Sequence, residues 1–444
     1  MARTGKKEKV LTPEEKLAQA LLPEAEQPYY VPENWCWIKL ENASEIIMGQ
    51  SPEGTATTAD SSYMPLIGGA ADMGEIYPKA TRYTKVPTKI SKKDDVILCI
   101  RATLGRPIFS DGEYCLGRGV AAIRSESLIK EYLRYGFIFF EQYLYDRATG
   151  TTFAQISSAV LQKMPFPLPP LAEQRRIVDR IESLFAKLDE AKEKAQAVVD
   201  GFENRKAAIL HKAFTGELTA EWRKKNKLLA NEWVDIPLED VCSSIYDGDH
   251  MPPPKSENGI PFLVISNVNT GYLSFEDTRF VPQEYYDSLS VTRKPEIGDV
   301  LYTLVGSYGI PVVVNDSRSF CFQRHMALLK PSKVNPYFLW YQLQGQEFYN
   351  KATEIATGTA QLTVPIKGLR KLSISLPSES EQAEVVRILD DLFSKKQKVK
   401  ETAKQVIDQI DVMKKSILAR AFRGELGTND PADESAEELL KRIL

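Results

Sequence analysis

From Leu171 to Phe214 the chain has no proline and one glycine, and apolar residues return at Ile177, Ile181, Leu184, Leu188, Ala191, Ala195, Val198 and Phe202. The steps alternate between four and three, the period of a coiled-coil seam rather than of a broad amphipathic stripe. A second stretch, Glu379 to Phe422, has neither proline nor glycine. It repeats the pattern at Val385, Leu389, Leu392, Val399, Ala403, Val406, Ile410 and Met413, with Lys396 interrupting one seam position. The spacing predicts two helices of about 44 residues, each roughly 66 Å long. A rod of that length cannot bury its seam alone. The pattern therefore predicts an intramolecular antiparallel coiled coil with one globular domain at each end, the alternative being a coiled coil between two chains.

The two stretches are copies of each other. Residues from Pro169 through Leu218 align with those from Pro377 through Leu426 without insertion, at an offset of 208, and about 20 of the 50 positions are identical. Upstream the correspondence loosens: Trp35 to Leu40 matches Trp233 to Leu238, Asp95 to Leu98 matches Asp299 to Tyr302, and Thr149-Gly150 matches Thr357-Gly358. The chain is thus one unit repeated, a variable domain followed by a near-constant helix. The boundaries expected are an extension over 1–30, a first domain over 31–168, a first helix and its exit over 169–227, a second domain over 228–376, a second helix over 377–426 and a tail over 427–444.

The variable domains read as mixed and strand-rich. Short apolar runs such as Val96–Ile100, Ile260–Ile265 and Ile310–Val314 are bounded by Gly, Asn, Asp and Pro. Each domain also carries one predicted helix, near Leu128–Tyr145 and Pro336–Tyr349, whose aromatic residues read as core. The fold class expected is α+β, a tandem repeat of two such domains joined by the helix pair.

Composition narrows the function. The 444 residues are 43% hydrophobic and 26% charged, ordinary for a globular chain. No apolar run is long enough for a membrane span, and no secretory leader is visible, so a cytoplasmic location is expected. Five scattered cysteines without a CxxC pair read as reduced thiols. A net charge of −3 excludes a uniformly basic nucleic-acid coat but not a local binding face. No P-loop, no nucleophile elbow and no Asn/Asp-Pro-Pro-aromatic tetrad of an adenine methyltransferase occurs, and none of the three histidines sits at metal-ligand spacing. The expected function is recognition without catalysis, with no metal.

Several motifs carry a specific resemblance. Pro170-Leu-Ala-Glu-Gln174 opens the first helix, Ser378-Glu-Ser-Glu-Gln382 opens the second, and both end in Ala-Phe-x-Gly-Glu-Leu (213–218 and 421–426). With the leading Val31-Pro-Glu-Asn-Trp35 and the Gly49-Gln-Ser-Pro52 turn, the chain resembles the specificity subunit of type I restriction–modification enzymes over about residues 28–426. The resemblance implies two target-recognition domains, each reading one half of a bipartite, asymmetric site in double-stranded DNA. It also implies docking of two adenine-methyltransferase subunits and recruitment of translocase/nuclease subunits. S-adenosylmethionine, ATP and Mg would belong to those partners, with no cofactor on this chain. The rival readings are an enzyme, a methyltransferase or nuclease without the familiar motifs, and a coiled-coil adaptor that binds proteins and not DNA.

Base readers must be polar or cationic side chains on loops, able to reach groove edges. In the first domain these are Gln50, Ser51, Arg101, Thr103, Arg106, Arg118 between two glycines, and Thr151, Thr152 and Gln155 of one loop. At corresponding places in the second stand His250, Lys255, Ser307, Tyr308, Gln323, Arg324, His325, Thr359 and Gln361. Short helices are expected near Thr12–Leu21 and in the acidic-to-basic tail after Asp430, covering either a partner or the chain's own helices.

Overall fold

The computed structural model describes residues 12–150, 153–228, 233–250 and 253–444. The chain divides into two compact units, residues 1–194 with 406–444, and residues 195–405. Each holds one variable domain, the start of the helix that follows that domain, and the end of the other helix.

In the first unit, strands β1 (Glu45–Met48), β2 (Val96–Arg101), β3 (Thr103–Phe109) and β4 (Val120–Arg124) form an antiparallel sheet in the order β1-β4-β2-β3. A smaller four-stranded sheet flanks it, and Cys36–Lys39 pairs with Pro165–Leu168 to clasp the domain's two ends together. The second unit repeats this plan. Strands β5 (Cys242–Asp247), β6 (Val300–Thr303), β7 (Pro311–Val313) and β8 (Met326–Pro331) run in the order β5-β8-β6-β7, and Val234–Pro237 clasps Ser373–Leu376. The aromatic segments form helices, as expected, but each is split in two: Lys130–Phe139 with Glu141–Asp146, and Pro336–Leu343 with Gln346–Glu354. The fold is the α+β tandem repeat with an antiparallel coiled coil.

The long helices are α1 (Leu171–Asp200), α2 (Phe202–Phe214) and α3 (Glu379–Phe422). The Glu-Gln pair opening α1 and α3 explains why the repeat keeps these residues. Gln174 accepts from the Ile129 N–H at 2.9 Å, at the start of the domain's aromatic helix, and donates to the Ser127 carbonyl at 2.8 Å. Its counterpart Gln382 accepts from the Asn335 N–H at 2.9 Å. Otherwise orphaned helix-end groups are thereby satisfied inside the core. Glu173 accepts from the Trp35 indole, and Glu381 from the Trp233 indole. At the exits, Phe422 is buried and stacks on Phe139 in the first unit, while Phe214 meets Phe338 edge-on in the second.

Ion pairs set the helix direction. In the first unit Lys192 meets Asp411 and Lys414 meets Asp189, so a step up one helix is a step down the other. In the second, Lys400 meets Glu203 at 3.6 Å, the repeat-related counterpart of Lys192 with Asp411.

The seam departs from strict heptads at Ala191, which is exposed, at Gly201, and at Val399 and Met413. The first rod is not continuous: at Gly201 (φ −76°, ψ 1°) α1 gives way to α2, and Arg205 donates its guanidinium to the freed Val198 carbonyl. Val399, expected in the seam, is 55% exposed, and Met413 is exposed as well. A straight helix drifts about 20° per heptad, so the buried stripe follows 3.6 rather than 3.5 residues per turn. Lys400 takes the inward place, its ammonium 4.1 Å from the centre of the Phe202 ring. Ile177, Ile181, Val385, Leu389 and Ile410 are buried, while Leu184, Leu188, Val198, Phe202, Leu392 and Val406 are half-buried.

Both short terminal helices exist, at Pro13–Ala20 and Ala436–Lys441. Thr12 caps the first in a reciprocal box with Glu15. Ala436 and Leu440 are fully buried in the first unit's core, and Arg176 pairs with Asp433, so the tail covers this chain's own helix start.

Candidate nucleic-acid interface

In an antiparallel sheet ordered β1-β4-β2-β3, the end of β1, the start of β4, the end of β2 and the start of β3 share one edge of the domain. The sequence places polar residues at those four points. Gly49 donates to the Val120 carbonyl at 3.0 Å and Gln50 to that of Leu116 at 2.8 Å, which folds the turn against β4. No larger residue fits at 49, because a Cβ would stand 2.1 Å from the Gly117 carbonyl oxygen. The Ser51 hydroxyl accepts from the Arg118 N–H at 3.2 Å. One strand over, Ile100 donates to the Gly119 carbonyl at 2.9 Å, so Arg101 and Arg118 flank one hydrogen-bonded pair.

A second loop is stitched to the same edge. Thr149 and Gln155 exchange both backbone hydrogen bonds, Ala102 donates to Ala154 and Ile156 to Ile100. Gly150 permits this closure at φ +105°, where a side chain would strike the Phe153 carbonyl. Gln50, Ser51, Arg101, Thr103, Arg118 and Gln155 are therefore brought together. Arg106 stands farther along β3 at φ +51°, with its guanidinium on the Ala70 carbonyl at 3.3 Å. Thr151 and Thr152 lie outside the described residues. Among the described residues neither Arg101 nor Arg118 has an ion-pair partner, and both are exposed. Two guanidiniums without an ion pair among the described residues therefore stand on this edge.

The second domain builds the same edge from different side chains. Gly248 donates to Met326, Leu304 to His325, Gly306 to Leu362 and Val364 to Leu304, each the counterpart of a bond in the first domain. Asp247, His250, Arg324, His325 and Gln361 line a cleft of about 380 Å³ there. His250 bonds to Asp247 at 2.8 Å, and Arg293 stands 3.9 Å from both Asp247 and Asp249. The Gln323 amide is 2.8 Å from His325 Nδ1. An amide nitrogen only donates, so Nδ1 accepts and Nε2 carries the proton. Burial, and then the charge of Arg324, push His325 below its ordinary value, which favours this neutral donor.

Tyr308 requires correction as a base reader. It is 8% exposed, stacks on Tyr349 at 5.3 Å, and its hydroxyl meets that of Thr353 at 3.0 Å. The ring is buried at the rim of the second core, covered by Tyr349, which is itself exposed. Ser307 and Thr359 are exposed on the edge loops, and Lys255 precedes the pairing of Ser256 with Phe280 on the neighbouring three-stranded sheet. Sequence reading missed Asp247, whose spacing of three from His250 was the available signal, and Phe153, which is 62% exposed on the stitched loop.

Comparison with known proteins follows the same division. The family model described as type I restriction modification DNA specificity domain matches residues 32–199 and again 230–409. The EcoKI specificity subunit of Escherichia coli K12 is 26% identical over 93% of this chain and 95% of its own length. The MjaVIII specificity subunit of Methanocaldococcus jannaschii is 24% identical over 89% and 94%. Among solved structures, the HsdS subunit from Thermoanaerobacter tengcongensis shares the fold with a TM-score of 0.62, at 21% identity, over 90% of this chain and 100% of that one. A chain from a study of complex assembly and conformational transition of the type I R-M system gives 0.68, also at 21% identity and the same coverage.

Proposed function

Since this chain belongs to the type I restriction modification DNA specificity domain family, we infer that each sheet edge reads one half of a bipartite, asymmetric site in double-stranded DNA. The chain is the DNA-recognition subunit of a type I restriction–modification system. The observation that carries the two-half reading is the repeat-related edge itself. Backbone bonds are retained between the copies while side chains change: Gln50 against Asp249, Ser51 against His250, Arg101 against Val305, Phe153 against Gln361. A fixed frame with altered donors and acceptors suits two unlike half-sites, since base identity is read from the groove's donor and acceptor pattern.

The subunit acts without catalysis of its own. The near-constant helices suit fixed partners: two adenine-methyltransferase subunits, with translocase/nuclease subunits joining them. Those partners would bring S-adenosylmethionine, ATP and Mg, and the complex would work in the cytoplasm, where its DNA is. No described helix is long and apolar enough to cross a membrane. A coiled-coil adaptor without DNA binding is disfavoured by the unpaired arginines on the first edge.

Mapping methylated adenines tests this, with residues 32–165 replaced by the corresponding domain of a relative. One half of the methylated motif should change and the other persist. A palindromic or continuous motif, or a change in both halves, would overturn the reading.

A further inference from the structure

The repeat offers an internal control for each loop on the sheet edges, and one position changes in kind. Phe153 and Gln361 stand at the same place, at the offset of 208. Gly150 and Gly358 both take φ +105°. An added Cβ would stand 2.3 Å from the Phe153 carbonyl oxygen in one and 2.5 Å from that of Gln361 in the other. Thr149 pairs with Gln155 as Thr357 pairs with Thr363, and Ala102 donates to Ala154 as Gly306 donates to Leu362. The backbone is therefore the same in both copies. It presents a ring in one and an amide in the other.

The Phe153 ring is 62% exposed and packs into neither core cluster of its unit. Left in water it contributes nothing to the fold, and covering it would be favourable. Its setting is polar, since Arg101 bridges to Gln155 two positions further along the loop. A phenyl ring neither donates nor accepts, so it cannot distinguish guanine, cytosine or adenine by hydrogen bonds. The apolar group displayed in the major groove is the thymine 5-methyl, which phenylalanine is suited to meet. An amide in the same place suits adenine N6 and N7 instead.

We propose that Phe153 is a specificity-determining residue, packing on a thymine 5-methyl group in the half-site read by the first domain. The proposal rests on the reading of the sheet edges as the DNA interface. A half-site methylated on adenine holds at least one thymine, the partner of that adenine, so the group is available.

Uracil lacks only that methyl group, which makes it the probe. Duplexes carrying the methylated motif, with each thymine of the first half-site replaced in turn by uracil, are titrated with the assembled complex. The complex carries the parent chain, Phe153→Ala, Phe153→Leu or Phe153→Gln. One uracil should weaken the parent complex about fourfold, the effect of one methyl group withdrawn from an apolar contact. With Phe153→Ala the thymine and uracil duplexes should bind alike at that position. Phe153→Leu should keep part of the preference, and Phe153→Gln, which installs the other copy's side chain, should lose it. The readout is a ratio between two duplexes on one protein, so a general loss of fold or affinity does not imitate it. If no thymine loses its methyl preference with Phe153→Ala, or if the thymine that does lies in the second half-site, the proposal is overturned. Arg101→Ala and Arg118→Ala then separate the two failures: weakened binding leaves the edge as the interface, and unchanged binding removes it. An equal loss on thymine and uracil duplexes, accompanied by less DNA bending, would make Phe153 a wedge between base pairs and would also overturn the proposal.

Discussion

Trp35 donates its indole N–H to Glu173 at 2.8 Å, across 138 positions of sequence, and both groups are buried. The repeat-related pair is Trp233 with Glu381 at 3.1 Å, but there Arg223 also reaches the carboxylate. In the first unit the nearby cation, Arg176, is taken by Asp433. The buried Glu173 is left with hydrogen bonds from Trp35 and from Thr428 at 3.3 Å.

Burial pushes the Glu173 carboxyl above its ordinary 4.5, against the opposing effect of those hydrogen bonds. A group whose folded value is raised contributes stability that is full below the unfolded value and is lost as pH rises through the folded one. Glu173→Gln retains an acceptor for Trp35 and removes the charge. The variant should therefore melt higher than the parent at neutral pH, and the gap should close as pH falls toward about 4.5. Glu173→Ala should cost about 1–3 kcal/mol near pH 4.5 by orphaning the indole, and less at neutral pH, where it too removes the buried charge. Melting curves of the three chains from neutral to mildly acid pH provide the check.

The slipped seam separates two positions that a heptad count treats alike. Val399→Lys should change stability by no more than about 0.5 kcal/mol, as a surface substitution. Ile410→Lys places a charge at a 2% exposed site and should cost at least about 3 kcal/mol. Denaturant titration distinguishes them, and equal destabilisation would restore the strict heptad.

On the first sheet edge, Arg101→Ala and Arg118→Ala should each weaken DNA binding by the assembled complex. Removing an arginine that grips a phosphate should reduce the salt slope of log K by about 0.9 and lower affinity evenly across sequences. Removing one that reads a guanine should cost about 1–3 kcal/mol and relax one base position of one half-site. Binding measured over a salt series, with matched and singly altered sites, assigns each arginine to one role. If neither substitution altered affinity, that edge would not be the interface.

The tail is part of the first unit's core, so Leu440→Ala should destabilise that unit by about 2–5 kcal/mol. Hydrogen exchange should quicken in Pro13–Ala20 and Ala436–Lys441 before it does in the second unit's sheet. Protection that is unchanged in both helices would show the tail to be merely resting on the surface.

The sequence by itself determined the repeat, the two long helices, the strand-rich domains and the family, because each is written in local period or in copied residues. Ile177, Ile181, Val385 and Leu389 could be placed inward by spacing alone. Tertiary structure decided the rest. Val399 turned outward because helix drift accumulates over many turns and becomes visible only against a packed neighbour. Tyr308 went into the core because Tyr349, 41 positions later, offered a face to stack on. The reading edge arose because antiparallel pairing carries Ser51, Arg101, Arg118 and Gln155, far apart in sequence, to one end of one sheet. Spacing along a chain records which face a residue takes on its own element. Which elements meet is decided by the hydrogen bonds and buried surfaces that only the folded chain brings together.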